Sequence, residues 1–560
     1  MAQHDIVIRG GTVVDGTGAP AHTADIAIRD GVIVEVGHVA GDAARTIDAD
    51  GALVTPGFVD VHAHYDGQVT WDSLVAPSSW HGVTTVVNGN CGVGFAPVKP
   101  TDHQQLIELM EGVEDIPGAA LHEGLQWNWQ SFADYLDAIE QRPHDIDVAM
   151  QVPHGAVRLF VMGQRGADRE AATPDEIAEM GRIAREAIEA GALGFTTSRT
   201  MNHKTVKGEF TPTLTAAREE LVGIATAIGA AGMGVLEVVS DFAQPDEIDT
   251  ILAMAEASGR PLSISVAQAD VRPQKWRSLM AAIAEGNERG LAVTAQVAAR
   301  PVGLLLGLQA TINPLDSSAT ARELKHLPLA ERVARLSLPD VRAGVLAELG
   351  PGRLNWERTF VLGDPPDYEP GPERSVAALA AAAGVTATEY AFDELLADGG
   401  RGFLYIPFLN YSDGNLDAVR EMLLSEHSVL GLADGGAHVG TICDASFPTT
   451  MLTHWVRDRT RGPRLPLEHV VSKQTMRTAR MVGLTDRGVL APGMKADVNV
   501  IDLEGLRLHR PTMAFDLPAG GKRLLQRVDG YLHTLVSGVE TYSNGVHTGA
   551  LPGRLVRGRR

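Results

Sequence analysis

Both ends of the chain alternate apolar and polar residues with a period of two. Residues 5–55 contain the segments DIVIRGGTVVDGTG and DIAIRDGVIVEVG, which break at glycines, and the same pattern returns in 488–502 and 533–549. This period is typical of half-buried strands. We predict one small β-sandwich-like domain made of residues 1–55 and 488–560; two separate β appendages are the alternative.

The middle of the chain repeats an apolar, β-branched segment followed by a helical pattern. Residues 173–191, for example, begin a helix with a proline and acidic residues in its first turn. Eight parallel strands with helical crossovers predict an α/β fold of the TIM (β/α)8 barrel type over residues 56–298 and 428–487. A doubly wound open sheet is the alternative. The eight candidate strands are 57–64, 83–91, 147–154, 192–198, 234–240, 261–268, 291–298 and 428–434.

The stretch between the seventh and eighth candidate strands is too long for one crossover. Residues 299–427 include a segment rich in proline and acidic residues, 362–373, and a strand-like segment, 401–408. We expect an insertion that lies over the barrel mouth. It acts either as an active-site lid or as a plain surface excursion.

Charge and cysteine content narrow the class of protein. The 560 residues include 48 Lys and Arg and 70 Asp and Glu, for a net charge of −22. That balance argues against binding nucleic acid or anionic membranes, which need basic patches. Two cysteines exclude a disulfide scaffold and fit a reducing compartment. With no apolar run long enough for a membrane span and no signal-peptide pattern, we expect a cytoplasmic protein.

His62 and His64 close the first predicted barrel strand, in the segment TPGFVDVHAHYD. Positions i and i+2 of a strand share a face, so both imidazoles are expected at the carboxyl end of the barrel, where TIM-barrel active sites lie. A histidine pair at this spacing suits zinc or a similar ion. Asp60 and Asp66 flank the pair and are candidate supports. Simple packing of two histidines is the alternative.

Cys91 ends the second predicted strand and Asp434 ends the eighth. A thiolate is a good zinc ligand, and a carboxylate at this end can bind the metal and move the proton of a bound water. The alternatives are a buried structural cysteine and a turn-forming aspartate before two glycines. His438 belongs equally well to the site or to the surface.

The segments HAHYD and NGNCG, the barrel-closing Asp434 and the trailing RGVLAPGMKADVNVID resemble the amidohydrolase superfamily. The cysteine-containing second strand is most similar to its D-aminoacylase (N-acyl-D-amino-acid deacylase) branch. The resemblance implies a metal-containing barrel, capped by a composite β domain, that hydrolyses an amide C–N bond. It also implies that His62 and His64 are paired metal ligands, that Cys91 is the metal-bridging cysteine, and that Asp434 is the catalytic acid/base.

The chain departs from that branch at two strands. The branch supplies one histidine from strand five and one from strand six, where this chain has Glu237 and Gln268. Strand four also has no lysine for a carboxylated bridge. We therefore expect a rebuilt site with one or two Zn²⁺ ions, or Mn²⁺ if carboxylates dominate, held by His62, His64, Cys91, Asp434 and Glu237. Glu237 is alternatively a buried acid that recognises an amine.

Loops after the barrel strands carry candidate substrate contacts. An arginine fork suits a substrate carboxylate such as that of an N-acyl amino acid. Each candidate is alternatively a helix cap or an ion-pair residue. The candidates are Ser198, Arg199 and His203 after the fourth strand, Arg300 after the seventh, and His154 and Arg158 after the third.

These residues lead to the hypothesis of a metal-dependent amidohydrolase. It acts on an N-acyl amino acid or a related small-molecule amide, with metal-activated water as nucleophile and Asp434 as acid/base. The chain is expected to bind no nucleic acid and no membrane, and a homo-oligomer is compatible with the sequence. One alternative keeps the barrel but hydrolyses a cyclic amide or another C–N bond, or acts as a single-metal lyase. Another is a barrel that has lost catalysis and binds a ligand.

Overall fold

Five strands open the chain and begin a sheet to which both chain ends contribute. The structure, a computed structural model, describes residues 3–558. Strand β1 runs antiparallel to β2 and parallel to β4 and β5. Their alternating isoleucines and valines form a small separate core, as the period of two predicts. The strands are β1 (His4–Val13), β2 (His22–Arg29), β3 (Val32–Gly37), β4 (Ala43–Asp48) and β5 (Leu53–Pro56).

Eight parallel strands form the central sheet, and each pairs with its neighbour in the order β16-β12-β11-β10-β9-β8-β7-β6. A parallel bridge between Ala63 and Gly435 joins the two ends of this series. The predicted barrel class is thus confirmed. The strands are β6 (Phe58–Asp60), β7 (Val83–Asn88), β8 (Asp147–Pro153), β9 (Gly194–Arg199), β10 (Val235–Ser240), β11 (Leu262–Ser265), β12 (Val293–Val297) and, after the insertion, β16 (Ser428–Leu430).

Helices connect the barrel strands and cover their outer faces. Helix α7 begins as predicted, with Pro174 in its first turn and a capping box between Thr173 and Glu176. The helices up to β12 are α1 (Gln68–Trp71), α2 (His103–Glu114), α3 (Gly118–Gly124), α4 (Phe132–Glu140), α5 (His154–Met162), α6 (Gln164–Ala167), α7 (Pro174–Ala190), α8 (Arg218–Ala230), α9 (Glu247–Ser258) and α10 (Lys275–Glu288).

The segment between β12 and β16 folds around a core of its own. Its three short strands pair in the order β13-β15-β14, and buried side chains such as Leu336, Val345 and Phe392 pack its helices together. A role as a lid stays a prediction. The elements are β13 (Gly303–Leu306), β14 (Phe360–Val361), β15 (Leu404–Pro407), α11 (Ala319–Glu323), α12 (Leu329–Leu336), α13 (Pro339–Leu349), α14 (Val376–Ala383), α15 (Ala387–Gly400) and α16 (Asp417–Leu424).

The last part of the chain completes the first sheet. Strand β17 pairs antiparallel with β5, with Val500 opposite Val54, and the sheet order is β24-β23-β22-β17-β5-β1-β2-β3. The predicted β unit from both chain ends is confirmed. Among the described residues, no helix is long and apolar enough to cross a bilayer. The remaining elements are α17 (Phe447–Thr450), a π-helix (Met451–Asp458), α18 (Leu467–Lys473), α19 (Met476–Met481), β17 (Val498–Ile501), β18 (Arg507–Leu508), β19 (Thr512–Leu517), β20 (Gly521–Leu525), β21 (Val528–Asp529), β22 (Tyr531–Val536), β23 (Val539–Ser543) and β24 (Val546–His547).

Candidate active site

Backbone hydrogen bonds join the first and last barrel strands at their carboxyl ends. The Asp434 N–H donates to the His62 carbonyl at 3.0 Å, and the His64 N–H donates to the Gly435 carbonyl at 2.7 Å. Strand β6 ends at Asp60, whose carboxylate accepts the His62 N–H at 3.1 Å. The two histidines therefore lie in the loop just beyond the strand. The closure brings both of them next to Asp434.

Four of the predicted metal ligands meet at this point. The ligand atoms of His62, His64 and Cys91 all lie within 4.8 Å of one another. His62 Nε2 is 3.3 Å from Cys91 Sγ. Asp434 Oδ1 is 3.4 Å from His62 Nε2 and 3.8 Å from His64 Nε2. The histidines and the cysteine are buried, whereas the Asp434 side chain is 14% exposed. Two imidazoles, a thiol and a carboxylate are a donor set that suits zinc.

Cys91 reaches the cluster through a turn with left-handed backbone. Its φ is 55°, between Gly89 at 81° and Gly92 at 66°. A Cβ on Gly89 would lie 2.1 Å from the Gln151 carbonyl oxygen, so glycine is required there. Asp434 is also left-handed, with φ 48°. Strained backbone of this kind at non-glycine residues is concentrated at functional sites.

Gln296, on β12, determines which ring nitrogen of His62 carries the hydrogen. Its Oε1 is 2.7 Å from His62 Nδ1, while its Nε2 donates to Ser263 Oγ at 2.9 Å. Because the amide nitrogen is engaged with Ser263, the atom that faces His62 is the acceptor oxygen, and His62 Nδ1 carries the hydrogen. His62 Nε2 therefore presents its lone pair to Cys91 and Asp434, which is the tautomer a metal ligand needs. No sequence motif points to Gln296.

Glu237 lies beside Cys91 rather than among the ligand atoms that cluster within 4.8 Å. The Cys91 N–H donates to Glu237 Oε2 at 3.3 Å, and Oε1 has no hydrogen-bond partner among residues 3–558. The residue on strand six that neighbours it is Ser265. Gln268, expected at this position, instead donates to Asp413 at 2.7 Å and so binds the insertion to the barrel.

Glu114, the last residue of α2, is a second residue beside the cluster that could not be predicted from the sequence. It is buried, with Oε1 3.3 Å from His64 Nδ1 and Oε2 3.6 Å from His438 Nε2. The His438 side chain is 24% exposed, so it lies at the open edge of the cluster. No motif points to Glu114, because a glutamate at a helix end is common in any sequence.

Burial dominates the electrostatics of the cluster. It raises the pKa of Asp434 to about 6 and that of Glu237 to about 8, and it lowers the pKa of His62 to about 4. Burial also raises the pKa of the Cys91 thiol, and the nearby carboxylates of Glu237 and Glu114 raise it further. A divalent cation would favour the ionised forms of these groups. The donor set and the unpartnered carboxylate oxygens therefore fit a metal ion.

The predicted substrate residues after strand four divide between the site and a largely buried ion pair. Ser198 Oγ lies 2.9 Å from His203 Nδ1. Burial lowers the pKa of His64 below its usual range, and the rings of His62, His438 and His203 lower it further. Arg199 binds Glu247 and the Ala216 carbonyl, each at 2.5 Å. A substrate role for Arg199 is not supported, because these acceptors occupy its guanidinium.

Arg158 and His154 both bind the buried carboxylate of Glu220. Arg158 Nε donates to it at 2.8 Å, and His154 Nε2 lies 3.0 Å from it. Arg158 also donates to the carbonyls of Gly166 and Pro212. The predicted substrate roles of these two residues are not supported, because both side chains are buried and bound within the protein.

Arg300 is likewise internal. Its Nη1 lies 2.8 Å from Asp444, its Nη2 donates to the Cys443 carbonyl at 2.9 Å, and its guanidinium stacks 3.6 Å from the ring centre of Tyr368 in the insertion. The predicted substrate role is not supported. Arg300 instead fastens the insertion to the barrel.

The sequence matches the amidohydrolase family over residues 45–542. It is 32% identical over 229 residues to a D-aminoacylase of Alcaligenes xylosoxydans xylosoxydans, a match that spans 41% of this chain and only 43% of that protein. It is 29% identical over 566 residues to an N-acyl-D-glutamate deacylase of the same organism, spanning 99% and 96% of the two chains.

A solved structure is similar over the whole fold. It is the N-acyl-D-glutamate deacylase of Bordetella bronchiseptica complexed with zinc and a phosphonate inhibitor, with 26% identity, a TM-score of 0.63 and coverage of 99% of both chains. The resemblance noted from the sequence is confirmed. The chain belongs to the amidohydrolase family, in the branch that contains D-aminoacylase and the N-acyl-D-amino-acid deacylases.

Proposed function

We propose that this protein is a metal-dependent amidohydrolase that cleaves the amide bond of an N-acyl amino acid or a related small-molecule amide. The observation that carries the proposal is the convergence of His62, His64, Cys91 and Asp434 at the carboxyl end of the barrel. The deacylase activities of the relatives and the zinc in the Bordetella structure support it.

His62, His64, Cys91 and Asp434 would hold the ion. Zinc suits this nitrogen and sulfur set, and Mn²⁺ is the alternative if Glu237 joins it. We infer one ion, because the ligand atoms of His62, His64 and Cys91 lie within 4.8 Å of one another and those of Glu237 are not among them. The ion would supply Lewis acidity, activating water and polarising the substrate carbonyl.

Asp434 is the acid/base of the proposed reaction. Its side chain is 14% exposed, more than that of the other ligand candidates, so it borders both the cluster and the opening of the site. It accepts a proton from the attacking water and then gives it to the departing nitrogen, so the products are a carboxylic acid and an amine. Burial raises the pKa of this carboxyl to about 6 in the metal-free protein, and a bound divalent cation would lower it and favour the ionised, proton-accepting form.

The side chains that remain available to contact a substrate are those of His203 and His438. The three arginines expected to bind a carboxylate are each paired inside the protein, Arg158 with Glu220, Arg199 with Glu247 and Arg300 with Asp444. This observation favours a second candidate, hydrolysis of a cyclic amide or another amide that lacks a free carboxylate, on the same residues.

A substrate panel tests the proposal. The zinc-loaded protein is assayed on N-acyl-D- and N-acyl-L-amino acids, on their methyl esters and on cyclic amides. We expect turnover of at least one class, and Asp434→Asn should lower kcat by about 10²–10⁴-fold without changing the melting temperature. The surface variant Asp458→Asn is the control. An active Asp434→Asn enzyme would contradict the mechanism, and tight binding without turnover would favour a non-catalytic barrel.

A further inference from the structure

Glu114 is a buried carboxylate to which the proposed mechanism gives no role. Its side chain is 1% exposed, and neither carboxylate oxygen has a hydrogen-bond partner in the part of the chain that the structure describes. Burying an unpaired carboxylate is costly. The polar groups that face it are the Nδ1 of His64 at 3.3 Å and the Nε2 of His438 at 3.6 Å.

The next residue holds the end of α2 against the loop that carries Asp434 and His438. Asp115, with φ 52°, accepts hydrogen bonds from the Gly440 N–H at 3.2 Å and from Thr441 Oγ1 at 2.6 Å. It also accepts one from Thr311 Oγ1 in the insertion, at 3.1 Å. Glu114 is therefore presented to the two imidazoles from a fixed helix end.

Both histidine ligands have an acceptor oxygen beside Nδ1. The Nδ1 of His62 is hydrogen-bonded to Gln296 at 2.7 Å, whereas the Nδ1 of His64 has no hydrogen-bond partner in the described structure and faces Glu114 Oε1 at 3.3 Å. In both cases the opposite nitrogen, Nε2, faces Asp434. A metal-bound histidine commonly donates its other N–H to a carboxylate or carbonyl, which fixes the tautomer and the ring orientation.

We propose that Glu114 is a positioning residue that accepts the Nδ1–H of His64 and, with its other oxygen, holds the ring of His438 at the edge of the site. The proposal rests on the proposed function, since it gives His64 the role of a metal ligand. It assigns Glu114 no contact with substrate.

Zinc affinity is the first test. The zinc dissociation constant is measured by competition with a chromophoric chelator for the wild type, Glu114→Ala and Glu114→Gln. We expect binding to weaken by about 10–100-fold in Glu114→Ala. The loss should be smaller in Glu114→Gln, whose amide oxygen still accepts a hydrogen bond. Glu108→Gln, on the same helix but paired with Lys207 at the surface, should bind zinc like the wild type.

Two readouts on the metal-free protein separate positioning from a structural role. In ¹⁵N-histidine spectra, His64 should carry its hydrogen on Nδ1 in the wild type and shift toward Nε2–H in Glu114→Ala. The melting temperature of metal-free Glu114→Gln should stay close to that of the wild type, because the amide oxygen of glutamine can still accept the Nδ1–H of His64.

Wild-type zinc affinity in both Glu114 variants, or an unchanged His64 tautomer in Glu114→Ala, would overturn the proposal. If Glu114→Ala fails to fold, Glu114→Gln carries the test alone. A wild-type protein that binds no zinc would overturn the proposed function together with this inference. Zinc binding that is normal in the wild type and in the variants would overturn this inference only.

Discussion

Arg300 and Asp444 form a buried ion pair, 2.8 Å apart, between the loops that follow the seventh and eighth barrel strands. The guanidinium also stacks on Tyr368 of the insertion. Arg300 therefore connects the loop after the eighth strand with Tyr368 of the insertion. These contacts hold the insertion in place around Tyr368.

Replacing Arg300 should cost stability rather than substrate affinity. Arg300→Leu leaves Asp444 buried without its partner, so we expect the free energy of unfolding to fall by about 3–5 kcal/mol. Lysine should not restore it, because it cannot reproduce the planar fork and the stacking. Urea unfolding gives the first quantity, and steady-state kinetics on the folded fraction should show an unchanged KM. A stable variant with a raised KM would instead place Arg300 in contact with the substrate.

Glu220 makes the stability depend on pH in the acid range. Burial alone would raise its pKa, but the hydrogen bonds and charges of His154 and Arg158 outweigh burial and lower it to about 2. A carboxyl whose folded pKa lies below its unfolded value near 4.5 stabilises the fold above pH 4.5, and this contribution is lost as the pH falls toward 2.

The corresponding variant is Glu220→Gln. We expect it to lose about 3.5 kcal/mol at pH 7, because the pKa of Glu220 falls from 4.5 to about 2 on folding and each pKa unit corresponds to about 1.4 kcal/mol. The difference from the wild type should shrink between pH 4.5 and pH 2. Urea unfolding of both metal-free proteins across this range measures it. Parallel stability curves for the two proteins would show that Glu220 does not cause the loss of stability at acid pH.

Gln296 should control metal affinity through His62. Gln296→Leu removes the acceptor at 2.7 Å from His62 Nδ1, so the tautomer with a free Nε2 is no longer favoured. We expect zinc to bind about 10–100-fold more weakly, measured by chelator competition. Ser263→Ala, which removes only the outer partner of Gln296, is the matched control and should have a smaller effect. Equal affinity in wild type and Gln296→Leu would show that His62 needs no such support.

The barrel, the β unit of the chain ends and four clustered residues could be predicted because their signals are local. The alternation of apolar and polar residues and the strand–helix repeats are visible within short segments. His62, Cys91 and Asp434 each follow a strand, and the carboxyl ends of these strands must lie at the same face of the barrel. The prediction that the histidine pair lies on the strand was too simple, since β6 ends at Asp60.

The residues that support the cluster could not be predicted, because their role depends on tertiary contacts. Gln296 is separated from His62 by 234 positions, and only the closed barrel brings them together. The same limit explains the arginines. The sequence shows no ion-pair partner for a basic residue that follows a strand. In the structure, Glu220 and Glu247, on helices elsewhere in the chain, bind Arg158 and Arg199.

The central claim is that His62, His64, Cys91 and Asp434 hold a catalytic metal ion. Elemental analysis of the purified protein, with the His62→Ala/His64→Ala double variant beside it, tests this most directly. We expect about one equivalent of zinc or manganese in the wild type after incubation with the metal, and its loss in the double variant. A wild-type protein that takes up no metal, or a double variant that retains the full equivalent, would contradict the claim.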